Sequence, residues 1–211
     1  MPELQIIGFP QSTYTRVARM AAQEKGVEYE LIPEPPHSDA VKAIHPLGRI
    51  PVMRHGDVTL FESRAICGYI DATFDGPPLI PNDTHEALQM DEWISVVNTG
   101  MDPLLIRQYL FAYIFPKGPD GAPDREAIDG MLEGVQSQLG AIAKAVDGKT
   151  HIVGNQLTLA DLNLLPILFY LKGTPEAGQF INQSTPLTAY FEYYAGRQSF
   201  QDTIPPPPPK D

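Results

Sequence analysis

The stretch PLGRIPVMRHGDVTLFESRAI, residues 46–66, decides the fold prediction because its hydrophobic period changes along its length. Residues 52–61 form two short runs typical of strands, and His55-Gly56-Asp57 between them is a turn sequence. From residue 63 the period becomes helical, since Ile66 and Ile70 fall on one face of a helix. The stretch therefore predicts a β-hairpin that leads into a helix reaching about residue 74.

The residues before this stretch predict a βαβ unit. Ser12 or Thr13 can cap the first helix, and Gly26 is a suitable stop signal for it. The predicted elements are a strand at 4–8, a helix to about residue 25, a strand at 29–32 and a short irregular helix at 38–44. Together with the hairpin and its helix, the predicted order is βαβαββα.

The chain changes character after residue 75. The segment 75–83 contains three prolines and a glycine, which cannot continue a helix. We predict an α+β domain at 1–75, a linker at 76–83, an all-helical domain at 84–204 and a proline-rich tail at 205–211. The tail is expected to adopt polyproline II.

Apolar residues in the second half recur at spacings of three and four, which predicts long helices packed side by side. Thr158 and Asp161 have capping-box spacing, and Pro166 is expected to kink that helix or to leave a carbonyl unpaired. A later helix is expected at 187–195. The two seams are Met90, Ile94, Val97, Met101 and Leu104, and then Ile128, Leu132, Val135, Leu139, Ile142 and Val146.

Composition excludes several classes of protein. The 211 residues carry a formal net charge of -11, which disfavours generic binding to nucleic acid or to anionic membranes. No apolar run approaches the roughly 20 residues of a membrane span, and the first residues do not resemble a secretory signal. A single cysteine, Cys67, cannot form an internal disulfide, so we expect a cytoplasmic protein. Cys67 is interpreted as a buried structural thiol.

Three segments resemble the glutathione S-transferase family, and within it the serine-type enzymes of the phi-like branch. They are residues 8–17 (GFPQSTYTRV), the stretch 46–66 with its Ile-Pro and Glu-Ser pairs, and residues 158–166 (TLADLNLLP). The resemblance extends to about residue 200. It implies a thioredoxin-like, glutathione-binding N-terminal domain of the α+β type followed by an all-α C-terminal domain.

The resemblance implies that Ser12 is the catalytic residue, which donates a hydrogen bond to the sulfur of glutathione. Because a free thiol has a pKa near roughly 8.5, such an enzyme must stabilise the thiolate. The start of a helix also favours an anion. Thr13, Tyr14 and Thr15 are rival hydroxyls, and Tyr14 is interpreted as core or pocket wall.

The same resemblance assigns the glutathione contacts. It implies a cis peptide before Pro51, with the backbone of Ile50 pairing with the cysteinyl part of glutathione. Glu62 would accept from the ammonium group, and Ser63 would donate to the α-carboxylate. The further candidates are Arg64, which follows this pair, and Arg49, which stands where phi-like proteins commonly have glutamine.

The residue that binds the glycine carboxylate is left open between Lys42, His37 and Arg49. Arg16 is expected either to raise the positive potential near the first helix or to be solvated. The five histidines show no metal-ligand spacing, so we expect no metal site and interpret them as surface or loop residues.

The implied function is transfer of glutathione, as co-substrate, to small apolar electrophiles, in a homodimer. Phe9 and Tyr109 are the candidate electrophile contacts. The alternatives are a non-catalytic protein that binds glutathione or an apolar ligand on the same fold, and a glutathione-dependent peroxidase that uses the same site. A transferase-like module of a larger complex would have a poorly formed glutathione site, which the Glu62-Ser63 pair argues against.

Overall fold

The computed structural model describes residues 3–206. Its four-stranded sheet has the order β2-β1-β3-β4, in which β1 pairs in parallel with β2 and antiparallel with β3. The pairing places Leu4 between Tyr29 and His55. The strands are β1 (Leu4–Ile7), β2 (Tyr29–Ile32), β3 (Val52–His55) and β4 (Val58–Phe61). The predicted βαβ unit and the predicted hairpin are both confirmed.

Three helices complete this half of the molecule, and all three begin where the sequence indicated. Ser12 caps α1 by accepting from the backbone N–H of Thr15, and Ser38 caps α2 in the same way. The helices are α1 (Thr13–Glu24), α2 (Asp39–Lys42) and α3 (Ser63–Thr73). The apolar faces of α1 and α3 pack against each other beside the sheet. The predicted βαβαββα order is thereby confirmed.

The second half is helical. Three of its helices, the α5, α8 and α10 defined below, were not predicted. The four-residue α5 lies beyond the end of the predicted seam, and α8 and α10 are short and lie among proline-rich or polar sequences that resemble loops. The α-helices are α4 (Thr84–Val96), α5 (Phe111–Ile114), α6 (Arg125–Ala145), α7 (Leu159–Lys172), α8 (Pro175–Gln183), α9 (Thr185–Ala195) and α10 (Gln198–Gln201). Among residues 3–206, none of the helices combines the length and the apolar character that crossing a membrane requires.

The segment Val97–Leu110, which joins α4 to α5, is wound more widely than an α-helix and contains Pro103. At its end the N–H of Phe111 reaches the carbonyl of Ile106, five residues back. Wider winding changes which side chains face the core, so the predicted seam does not continue at Leu104. Leu105 is buried there instead, and Leu104 is only half-buried.

The α6 seam and the capping box of α7 were predicted correctly. Asp161 is fully buried and accepts from the N–H of Thr158 at 2.8 Å and from the N–H of Ile152 at 2.9 Å. The hydroxyls of Thr158 and Tyr190 also donate to it, at 3.0 and 2.8 Å. Because one carboxylate satisfies four donors, it fixes the start of α7 against the preceding loop and α9.

Of the two alternatives for Arg16, a positive potential near the first helix or a solvated side chain, the second is wrong. Its residue is only 1% exposed, and its guanidinium carbon lies 4.5 Å from the ring centroid of Phe169 and 4.3 Å from that of Phe200. Nη2 donates to the carbonyl of Phe200 at 2.9 Å, and Nε donates to Thr203. Burial lowers the pKa of Arg16 to about 10. The side chain therefore fastens the C-terminal segment onto α1.

The predicted linker, residues 76–83, packs against the rest of the molecule at Leu79. Leu79 of the linker is buried, its carbonyl accepts from Leu159, and its N–H donates to Asp71 at 2.8 Å. The segment is therefore attached to both halves of the molecule. The predicted polyproline tail lies largely outside the described residues, since only its first two prolines fall within them.

Candidate functional site

Ser12 lies at the turn between β1 and α1. Its backbone is extended, with φ -67° and ψ 128°, and its N–H donates to the carbonyl of Phe9 at 3.1 Å. The Ser12 Oγ accepts from the N–H of Thr15 at 3.3 Å. Because this contact uses a lone pair of Oγ, the hydroxyl proton is left to donate to an anion. The other N–H groups of the first turn of α1 point the same way along the helix axis.

Two of the three rival hydroxyls are buried, whereas Ser12 is only half-buried. Thr13 is nearly buried, and Thr15 is fully buried beneath the turn. Tyr14 is half-buried, and burial, with a smaller contribution from the negative charge of Asp102, raises the pKa of its phenol. A phenol with a raised pKa stays protonated at neutral pH, so Tyr14 is a neutral group beside the turn.

The peptide bond between Ile50 and Pro51 is cis, as the resemblance implied. Pro51 is buried and Ile50 is half-buried, immediately before β3. Gly8 brings this loop close to α1: a Cβ on Gly8, whose φ is 157°, would lie 2.6 Å from Thr15 Oγ1 and 3.2 Å from Ile50 Cβ. The absence of a side chain at Gly8 therefore lets the Ser12 turn and the Ile50 backbone approach each other.

Glu62 and Ser63 mark the start of α3. Glu62 has a positive φ of 67°, a conformation that costs a non-glycine residue about 1–3 kcal/mol. Its side chain is 62% exposed and makes no capping bond to its own helix, whereas Ser63 is nearly buried. Strain retained at an exposed carboxylate indicates that the surrounding structure fixes its position. Glu62 thus stands immediately before the first N–H groups of α3, which have no acceptor within the helix.

His45 is the site residue that sequence reasoning missed. It was interpreted as a surface or loop histidine, but its side chain is only 2% exposed, and Nε2 lies 3.2 Å from Glu62 Oε1. The N–H of Leu47 donates to His45 Nδ1 at 3.0 Å. Nδ1 therefore accepts, which places the proton of a neutral ring on Nε2 and makes it the donor to Glu62. No local signal in the sequence reveals this contact across 17 residues.

Arg64 is engaged with the helical half of the molecule. Its Nε lies 2.7 Å from Oδ1 of Asp91 on α4, and its Nη2 lies 3.4 Å from Oδ2. The guanidinium therefore bridges α3 to α4 beside the Glu62-Ser63 pair. This geometry favours a positioning role for Arg64 over a direct contact with a ligand.

The three candidates for the glycine carboxylate are all exposed. Arg49 lies in the loop that precedes Ile50, and Lys42 lies in the last turn of α2. His37 is held against this loop, since its N–H donates to the carbonyl of Gly48 at 2.8 Å. His37 and Arg49 are therefore neighbours of the same backbone, whereas Lys42 belongs to a separate helix.

The two candidates for the electrophile contact differ in accessibility. Phe9 is 41% exposed and lies three residues before Ser12. Tyr109 is 0% exposed, and its hydroxyl donates to Glu176 Oε2 at 2.9 Å and accepts from the N–H of Ala177 at 3.1 Å. These contacts place Tyr109 within the helical core instead of on an open wall.

Two further features bear on the chemistry. Cys67 is buried, and burial raises the pKa of its thiol to about 12, which makes it a poor nucleophile. Residues 3–206 contain no group of histidine, cysteine and carboxylate side chains that could hold a metal ion. The Ser12 hydroxyl, the Ile50 backbone and the Glu62 carboxylate are groups that could bind an organic ligand carrying both an ammonium group and carboxylates.

Two protein-family models match this chain. The model described as glutathione S-transferase, N-terminal domain, matches residues 6–78. The model described as glutathione S-transferase, C-terminal domain, matches residues 105–197. Together they cover most of the chain, and the first contains every residue of the site around Ser12, Ile50 and Glu62.

Individual proteins are similar over nearly the whole chain. Glutathione S-transferase 3 of Zea mays is 30% identical over 230 residues, covering 99% of this chain and 98% of the maize protein. The crystal structure of glutathione transferase F7 from Populus trichocarpa is 29% identical, with a TM-score of 0.83, covering 95% of this chain and 97% of that one. A glutathione S-transferase-I bound with lactoylglutathione is 27% identical, with a TM-score of 0.82 and coverages of 96% and 98%.

Proposed function

This chain belongs to the glutathione S-transferase family, and from that premise we propose that it transfers glutathione to small apolar electrophiles. The family and its fold were expected from three sequence segments, and both expectations are confirmed. The proposal names Ser12 as the catalytic residue, the loop at Ile50 and the start of α3 as the glutathione site, and Phe9 as a contact of the second substrate.

The main support for the proposal is the geometry of the Ser12 hydroxyl. Its oxygen accepts from Thr15, so its proton can point outward at the start of a helix, where the helix dipole also stabilises negative charge. A thiolate bound there would gain a hydrogen bond to a charged group, worth about 1.5–3 kcal/mol. Because 1.4 kcal/mol corresponds to about one pKa unit, this contact lowers the thiol pKa by one to two units.

Glu62, Ser63 and the backbone of Ile50 account for the remainder of glutathione. The Glu62 carboxylate accepts from the ammonium group, and the first N–H groups of α3 with Ser63 donate to the α-carboxylate. Ile50 pairs through its N–H and C=O with the cysteinyl backbone, which sets the thiol opposite Ser12. The close approach that Gly8 permits supports this arrangement.

The glycine carboxylate is assigned to Arg49 and His37. His37 precedes α2 and is joined to the loop of Arg49 by its bond to Gly48, and an exposed guanidinium suits a carboxylate. Lys42 is the alternative on α2. Arg64 orients the start of α3 through Asp91.

The reaction is direct nucleophilic transfer. The bound thiol releases its proton to solvent, and a sulfur lone pair forms a carbon–sulfur bond with the electrophile. The leaving group departs with its bonding electrons, or in an addition the displaced electron pair moves onto the acceptor and is then protonated. Phe9 offers an exposed aromatic surface to an apolar electrophile. Tyr109 is buried in the helical core, so we do not propose it as a contact of the electrophile.

We also propose a cytoplasmic homodimer. Leu47, Val58 and Phe61 are exposed apolar side chains around the hairpin and the loop before it. Leu88 and Val96 on α4 are also exposed. Contact with a second copy of the chain would cover such residues. Sedimentation analysis of the protein at micromolar concentration, with Leu47→Glu as the comparison, tests this part of the proposal.

Ultraviolet absorbance of the bound thiolate, measured against pH, tests the catalytic proposal. Wild type should show a glutathione pKa well below roughly 8.5, and Ser12→Ala should return it towards that value. Activity with an apolar electrophile near neutral pH should fall about ten- to a hundredfold. Thr13→Ala is the matched control, because it removes the adjacent hydroxyl and should leave the thiol pKa unchanged.

The same measurements separate the alternatives. Binding of glutathione with an unshifted thiol pKa would favour a non-catalytic binding protein. A lowered pKa with turnover of hydroperoxides alone would favour the peroxidase. Absence of glutathione binding would contradict both enzymatic functions and leave only a protein that binds an apolar ligand.

A further inference from the structure

One hydrogen bond joins the helical half of the molecule to the turn that carries Ser12. Tyr170, near the end of α7, donates from its hydroxyl to the backbone carbonyl of Gln11, with 2.6 Å between the oxygens. The two residues are 159 positions apart in the chain. We propose that Tyr170 is a positioning residue for catalysis, which holds the Ser12 turn in its productive geometry from the helical half of the molecule. This inference rests on the proposed role of Ser12.

The bond acts on a single peptide unit. The carbonyl of Gln11 and the N–H of Ser12 belong to the same planar group, so fixing both atoms fixes the orientation of the plane. Tyr170 holds the carbonyl, and Phe9 accepts from the N–H at 3.1 Å. These two hydrogen bonds together fix the orientation of the peptide group that precedes the Ser12 Cα. The position of the Ser12 hydroxyl depends on that orientation.

Tyr170 is itself anchored. Its ring packs edge-on against Phe169, with 5.3 Å between centroids, and Phe169 in turn contacts Phe200 and the buried guanidinium of Arg16 on α1. Burial raises the pKa of Tyr170 to about 12, opposed in part by the positive charge of Arg16. The phenol therefore stays protonated and can donate throughout the pH range in which glutathione is ionised.

The other side of the glutathione site is joined to the helical half by a different contact, the one from Arg64 on α3 to Asp91 on α4. Glu62 and Ser63 belong to α3, and Ile50 belongs to the loop before β3. Loss of the Tyr170 hydroxyl should therefore disturb the thiolate more than the binding of the γ-glutamyl part. A role in stability alone would instead lower the free energy of unfolding and leave the bound thiol unchanged.

The test is Tyr170→Phe, which removes one oxygen and keeps the ring. The bound-thiol pKa should rise, and kcat near neutral pH should fall about three- to tenfold, as expected for one hydrogen bond. KM for glutathione should change less than about twofold. Tyr194→Phe is the matched control, because Tyr194 lies on α9 and its hydroxyl bonds to His151. It should lower the free energy of unfolding at least as much, because Tyr194 is buried, and leave kcat and the thiol pKa unchanged.

A second variant shows whether Tyr170 acts through Ser12. In a Ser12→Ala background, Tyr170→Phe should cause no further rise in the bound-thiol pKa. A wild-type thiol pKa in Tyr170→Phe, or an equal rise in both backgrounds, would overturn the inference while the proposed function stood. An unshifted thiol pKa in the wild-type protein would overturn both.

Discussion

His45 and Glu62 form a contact between a buried ring and an exposed carboxylate, with 3.2 Å between Nε2 and Oε1. The N–H of Leu47 fixes the tautomer of the ring, so the donor faces the carboxylate. The ring also packs against Phe61, with 4.9 Å between centroids. One oxygen of Glu62 is thus held by the protein while the other stays available to an ammonium group.

We predict that His45→Ala weakens glutathione binding by about three- to tenfold, because one hydrogen bond that orients the carboxylate is lost. The effect should disappear in a Glu62→Gln background and for deaminated glutathione, which lacks the ammonium group. Isothermal titration calorimetry of the four proteins in this cycle measures the coupling. Additive losses would show that His45 acts elsewhere.

A second prediction concerns the buried Asp161. Asp161→Ala leaves four donors without their acceptor and should lower the free energy of unfolding by at least about 3 kcal/mol. Asp83→Ala is the control, since Asp83 caps the exposed start of α4 with one bond and should cost about 1 kcal/mol. Urea denaturation compares the two. An equal loss of unfolding free energy in the two variants would contradict the claim that burial makes the Asp161 hydrogen bonds more important than the Asp83 cap.

Gly8 gives a third prediction. Gly8→Ala should lower the free energy of unfolding by about 1–3 kcal/mol and weaken glutathione binding, because its Cβ meets Thr15 and Ile50. Thr15 Oγ1 has no hydrogen-bond partner in the described part of the chain, so its removal breaks no bond. Gly8→Ala with Thr15→Ala should therefore be more stable than Gly8→Ala alone. A double variant of lower stability would contradict this account.

The fourth prediction is a pH dependence of stability. Burial alone would raise the pKa of Glu176, but hydrogen bonds from Tyr113, Tyr109 and Arg125 lower it from about 4.5 to about 2. A folded-state pKa below the unfolded one stabilises the protein above pH 4.5, and this contribution is lost as pH falls towards 2. Glu176→Gln should therefore lose stability at neutral pH and lose least near pH 2.

Urea denaturation between pH 2 and 7 measures that difference. Glu133→Gln provides the comparison, because Glu133 is an exposed carboxylate on the nearby α6. Its difference from wild type should be small across the range. If the stability difference between Glu176→Gln and wild type stayed constant with pH, the hydrogen bonds from Tyr113, Tyr109 and Arg125 would not be lowering the pKa of Glu176.

Much of the fold was predictable because its signals are local. The Ser12 cap, the hairpin turn and the Thr158–Asp161 box each involve residues within a few positions of one another, where backbone geometry limits the choices. The seam along α6 was predictable for the same reason. The seam beyond Met101 was not, because the wider winding of Val97–Leu110 changes the period on which the prediction relied.

The functional site, like the fold, was only partly predictable from the sequence. Sequence alone determined that Ser12 begins a helix, and the resemblance supplied the Glu62-Ser63 pair and the turn at Pro51. Only the tertiary structure decided that His45 holds Glu62, that Tyr170 holds the peptide before Ser12, and that Arg16 is buried. These contacts join residues from 17 to more than 150 positions apart. No period or spacing along one chain encodes such pairs, because they depend on how completed helices and strands pack.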